Sequence, residues 1–186
     1  MNFKHFQVPI LISMFLMACQ NMDNHYNLDR EESEIFTVII DELAVPLPPA
    51  WPPPEGYNSK QLDSIKQIKI NLVIDTVMFN LNKRVQLPEH QEKFQPLVDA
   101  IPGLPEKTIA PQSVKSSIGH NLKFENTSKE SQVIGISRIK FNGDGTRAAL
   151  YGSRTTGRLS GLTDLFLMEK NNGCWEIVHR QNLERS

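Results

Sequence analysis

The chain has 186 residues, 39% of them hydrophobic, with 20 Lys and Arg balanced by 21 Asp and Glu and only two cysteines. A formal charge of −1 with mixed signs leaves no electrostatic footprint for nucleic acid and no polybasic stretch for an anionic lipid surface. Both partners are disfavoured.

The first nineteen residues place Lys4 in a short polar start, follow it with an apolar run from Val8 to Ala18, and contain no acid. That is the grammar of an export signal. The run is far shorter than the ~20 residues that cross a bilayer core, so it is not read as a permanent span. Leu16-Met17-Ala18-Cys19 resembles the lipobox of bacterial lipoproteins, in which a small residue precedes the cysteine that receives a diacylglyceride before cleavage, although Met17 is larger than is usual there. The resemblance implies a signal peptide over 1–18, lipidation of Cys19, and a protein anchored in the bacterial cell envelope, at the outer membrane, without spanning it. Cys174 is then the only thiol of the folded part, which excludes an intramolecular disulfide. Beside Trp175 in an apparent strand, it reads as a small buried hydrophobe.

Residues 19–28 are polar and read as a tether, the stretch Gln20 to Asn27 reaching roughly 28 Å at ~3.5 Å per residue. One α+β domain is expected over 29–186. Asp29 can cap a helix with Glu32 three positions on, and Ile35, Phe36, Ile39, Ile40 and Leu43 form one helical face. The β-branched run Thr37 to Ile40 leaves a buried strand as the alternative. Pro46 ends that element, and the proline-rich stretch 46–54, with Trp51 inside it, is an extended loop: a stiff connection, or a docking ligand for a partner groove. Alternation through Ile68, Ile70, Leu72 and Ile74 predicts a strand within 68–79. Pro88 to Ile101 is helical in composition, and Pro96 makes it one kinked helix or two short ones. Residues 102–117 read as loop.

The last third alternates apolar segments with turn signals. Ile134 to Asn142 passes through Gly143-Asp144-Gly145 into Thr146 to Ser153, and Leu162 to Lys170 passes through Asn171-Asn172-Gly173 into Cys174 to His179. Asn-Gly predicts a type I′ hairpin. The expected fold class is therefore α+β, with N-terminal helices packed on one face of a curved antiparallel β-meander.

The phrase Ile136-Ser137-Arg138-Ile139-Lys140-Phe141-Asn142, followed by Asp144, Thr146, Ala148-Ala149-Leu150-Tyr151 and later by Lys170, Gly173 and Trp175, resembles a group of uncharacterised lipoproteins from Bacteroidota. The group brings no activity with it. Where its members often carry two cysteines in the following loop, this chain has Thr156 and Ser160, so no disulfide or metal role carries over. The order of helix and meander is also similar to the cystatin-like or NTF2-like architecture, which concerns fold alone.

No serine sits in a Gly-x-Ser-x-Gly setting, no catalytic residue is nominated, and no glycine-rich phosphate loop or other cofactor motif is present. His25, His90, His120 and His179 lack the spacing of a metal site. Arg138 and Lys140 alternate with Ile139 and Phe141, which offers a solvated face or a weak grip on an anionic ligand. Asp144, between glycines, is explained by turn chemistry, whereas Asp75 and Asp164 could serve as acids or bases. Asp63-Ser64-Ile65 and Asp75-Thr76-Val77 are similar to an O-glycosylation tripeptide of Bacteroidota, with Ser64 the better candidate because Thr76 is expected in a buried strand. Two functions follow: a non-catalytic envelope module that binds an unknown protein or ligand, or a hydrolase assembled from distant residues such as Asp75, His120 and His179.

Overall fold

A computed structural model describes residues 28–44, 46, 56, 58–124, 132–157 and 160–185. The leader, Cys19, the tether up to Asn27, His25 and nearly all of the proline-rich loop lie outside the described residues.

The first helix, α1, covers 28–43. Ile35, Phe36, Ile39, Ile40 and Leu43 are at most 2% exposed, so the predicted stripe is the buried face. Burying such side chains is worth roughly 1.5–3 kcal/mol each before chain entropy is charged against it, and the stripe overrides the β-branched run. Leu28 and Asp29 are themselves helical, so Asp29 is not the cap. The first-turn acids reach sideways instead. Glu31 accepts from Trp175 Nε1 at 2.6 Å and from Lys170 Nζ at 2.5 Å, while Glu32 pairs with Lys107.

Helix α2, Ser59–Lys66, has no counterpart in the hydrophobic pattern, because no residue on it is buried. A capping box starts it: Asn58 Oδ1 accepts from Gln61 N, and Gln61 Oε1 accepts from Asn58 N. Strand β1 is only Asn71–Ile74, shorter than the 68–79 expected. Asp75 Oδ1 accepts from Val77 N and turns the chain; Val77 and Phe79 then make isolated bridges only. The proline-interrupted stretch forms two short pieces, a 3₁₀ helix Glu89–Phe94 and α3, Gln95–Ala100. Pro96 falls in the first turn of α3, where its missing N–H has no bond to lose.

Strands β2 (Asn121–Lys123), β3 (Gln132–Ile136), β4 (Lys140–Phe141), β5 (Arg147–Gly157), β6 (Ser160–Asn171) and β7 (Cys174–Arg185) complete a seven-stranded sheet of order β2-β1-β3-β5-β6-β7, with β4 also pairing β5. The predicted meander is β5-β6-β7, antiparallel throughout. The sheet is mixed, because β1 pairs both β2 and β3 in parallel. Asn172 (φ 51) and Gly173 (φ 85) form the β6–β7 turn, and positive φ at both positions is what type I′ requires. The glycine-containing stretch 156–161, expected as loop, is mostly hairpin, with Gly157 still opposite Ser160. Strand β7 ends the sheet and runs irregularly against β6 at two places, opposite Thr163/Asp164 and Leu167/Met168.

Ala148–Tyr151 and Leu165–Met168 are apolar at every position, not every second one, and all eight side chains are buried. Such runs need cover on both faces. Ala148, Leu150, Phe166 and Met168 join α1 in one core, and Ala149, Tyr151, Leu165 and Leu167 join Val85, Phe94, Leu97, Val98 and Ile101 in a second. Helical elements therefore lie on both faces of the sheet, not on one. Among the described residues, no helix is long and apolar enough to cross a membrane.

Candidate functional site

The second core is roofed by the strap 80–88 and by the helical pair 89–100. Gln95 joins them: its Nε2 donates to Val85 O at 2.8 Å and to Asp99 Oδ1 at 2.9 Å, and its Oε1 accepts from Leu87 N at 3.0 Å. Asn80 Nδ2 adds a bond to Pro102 O, and Lys83 Nζ donates to Leu183 O and pairs with Glu184. Between strap and helices lies a cleft of about 830 Å³ lined by Arg84, Glu89, Glu92, Gln95 and Asp99 beside the apolar Val85 and Val98. Tyr151, fully buried in the core that Val85 and Val98 share, has a hydroxyl without a hydrogen-bond partner among the described residues. Burial, and secondarily the Asp99 charge, push its phenol above the usual range. A cleft of this kind offers both signs of charge and both donors and acceptors around a small apolar patch.

The residues weighed from sequence are not brought together. His120 is buried beside β1 and β2, its Nδ1 accepting from Ile70 N at 3.3 Å. His179 sits on β7 at the far side of the sheet, edge-on to His90 at 6.2 Å between ring centroids. Asp75 is exposed beyond β1. Strands β3, β5 and β6 stand between the two histidines. Among the described residues, no three His, Cys, Asp or Glu side chains gather as a metal site.

Arg138 and Lys140 do not share one strand face. Ser137 closes onto Tyr151, Arg138 lies in the irregular link between β3 and β4, and its Nη1 donates to Pro105 O at 2.5 Å. Lys140 is half-buried on β4 opposite Ala149. Asp164 is buried at 1% exposure and fully engaged: Arg180 Nε and Nη2 donate to its Oδ2, Asn182 Nδ2 donates to its Oδ1, and Arg180 reaches on to Glu42 of α1. That network fastens α1 to β6 and β7. The Thr146 hydroxyl and amide hold the Asp144 carboxyl below its usual range, in the turn role expected of it.

Cys174, predicted to be buried, is exposed. Alternation along β7 explains it, since Trp175 turns inward onto Glu31 and Phe141 and its neighbour must turn out. Thr76 lies in a bend after β1, half-buried, not inside a buried strand. Ser64 is exposed on α2, its hydroxyl bonded to Lys60 O. Thr156 Oγ1 donates to Ser160 Oγ at 3.0 Å, so these two side chains face each other across the hairpin.

Compared with known proteins, the chain matches no family model, no curated protein and no solved structure. The cleft residues escaped the reading of the sequence, yet one cue was present. Glu89, Glu92, Gln95 and Asp99 recur at steps of three and four, a polar stripe facing away from Phe94 and Leu97.

Proposed function

We infer that this chain is an exported envelope protein, tethered to the membrane by a lipid on Cys19, whose folded part acts by binding and not by catalysis. The cleft beneath the strap carries this reading: it combines charged and amide side chains with an apolar patch, and two hydrogen bonds of Gln95 fix the strap to α3 beside it. The separation of Asp75, His120 and His179 removes the support for an assembled hydrolase. The resemblance to uncharacterised Bacteroidota lipoproteins supports the envelope location and brings no activity with it.

Two measurements in native host cells test it. Lipid labelling of the membrane fraction should be lost with Cys19→Ser, and retention of label would end the tether reading. A photo-crosslinking residue at Gln86, in the cleft, should give a discrete adduct that the same residue at exposed Glu176 does not. Identical adducts from both positions would remove the cleft as a binding face.

A further inference from the structure

Helix α2 is folded but covers nothing. Residues 58–64 and 66–69 are all exposed and Ile65 is half-buried, while Leu62 and Ile68 stand at 46% and 47% exposure. Leu62 and Ile65 are three apart and so share one side of the helix, and Ile68 prolongs that apolar line past its end. A capping box at one end means that the helix does not depend on a packed face for its start.

The charge around it is equally unusual for this molecule. Lys83, Lys93, Lys107 and Lys170 all stand in ion pairs. Lys60, Lys66 and Lys69, on and just after α2, and Lys115 and Lys123, before and on the neighbouring β2, stand in none among the described residues, and of the other described lysines Lys140 alone shares that state. Among the described residues, the acids nearby include Asp63, on the helix itself, and Asp41, which is occupied by the Ser116 and Ser117 hydroxyls. Along the sequence these lysines are diluted by acids; the parallel pairing of β1 with β2 brings Lys69, just before β1, and Lys123, on β2, to one edge of the sheet.

We propose that α2 and the adjoining lysines form a second membrane contact, which lies on a bilayer surface rich in anionic headgroups. Aliphatic side chains projecting among unpaired lysines fit the boundary between headgroups and acyl chains, where the apolar tips are buried and the long lysine stems reach back to phosphate. A nucleic acid would use the lysines and leave Leu62 and Ile68 in water. The inference rests on the tether reading for its location. Lys69 lies against Gly119, and the loop before it is bonded to Asp41, so α2 sits at the end of α1 opposite Leu28. Helix α1 is roughly 24 Å long at 1.5 Å per residue, and the chain from Cys19 to Leu28 can span at most about 30 Å, so both contacts are possible with α1 lying along the surface.

The test uses the full chain, purified from host membranes and reconstituted in vesicles of phosphatidylcholine with or without phosphatidylglycerol. In a Cys174→Ser background, Leu62→Cys carries an environment-sensitive dye, read by its accessibility to an aqueous quencher. Access should fall about tenfold or more when phosphatidylglycerol is present, and it should be restored by salt or by Lys60→Gln, Lys66→Gln and Lys69→Gln together. Equal access in both vesicles would overturn the proposal, as would protection by an oligonucleotide on phosphatidylcholine vesicles. The Cys174→Ser chain without Leu62→Cys reports the tether separately: it takes no thiol label when Cys19 carries lipid, and one when it does not.

Discussion

His120 shows what burial does to a single ionisable group. Only 6% of it is exposed, and its Nδ1 accepts from the Ile70 amide, so the ring is neutral with its proton on Nε2. Burial lowers its pKa, and the Asp41 charge opposes this only in part. Below its ordinary value of about 6.5 the unfolded chain therefore binds the proton before the folded one does. Stability is complete above that pH and is lost as pH falls below it, towards the folded value. In urea titrations across this window, His120→Gln should flatten the slope of stability against pH; an unchanged slope would show that another group carries it. Nothing in the spacing of the histidines announced this one, because its cover comes from strand pairing between residues fifty apart. Cys174 was misread for a different reason: it was expected to be buried beside Trp175, but once Trp175 points inward, period-two alternation places its neighbour outside.

Helix α1 was written plainly in its stripe, and its fit to the sheet depends on one position that periodicity does not reveal. A Cβ added at Gly152 would stand 2.8 Å from Phe166 Cε2 and 2.9 Å from Leu43 Cδ1. Gly152→Ala is thus expected to cost about 1–3 kcal/mol by overpacking, read as a lower denaturation midpoint, while Gly143→Ala, whose Cβ meets nothing within 4 Å, should change stability by less than about 0.5 kcal/mol. Equal midpoints for the two variants would contradict the close approach of helix to strand. Helix α2 was missed for the opposite reason: its signal is the polar capping pair Asn58 and Gln61, and a search for buried stripes passes over a helix that buries nothing.

At the scale of the whole molecule, β5 and β6 belong to both cores, so neither layer can loosen without exposing the back of the other. Leu165 faces the second core and Trp175 the first. In a Trp51→Phe background, Leu165→Ala should lower the Trp175 fluorescence transition and the circular-dichroism transition together, by about 2–4 kcal/mol. Separate transitions would mean that the layers unfold independently. The meander was legible because its turns are local. The parallel joining of β1 to β3 was not, since it pairs Leu72 with Gln132 across a long stretch of intervening chain and leaves no short-range mark.

The irregular course of β7 has a consequence for crowding. A straight strand at the end of a sheet invites an identical molecule to zip alongside and begin a growing ribbon. Two interruptions within twelve residues bend the outer row of amides and carbonyls, and Lys83 occupies the Leu183 carbonyl near its end. A second copy laid there would match only a few residues before slipping out of step. The other end of the sheet, β2, offers just three residues. At high density, such molecules can collide repeatedly without polymerising.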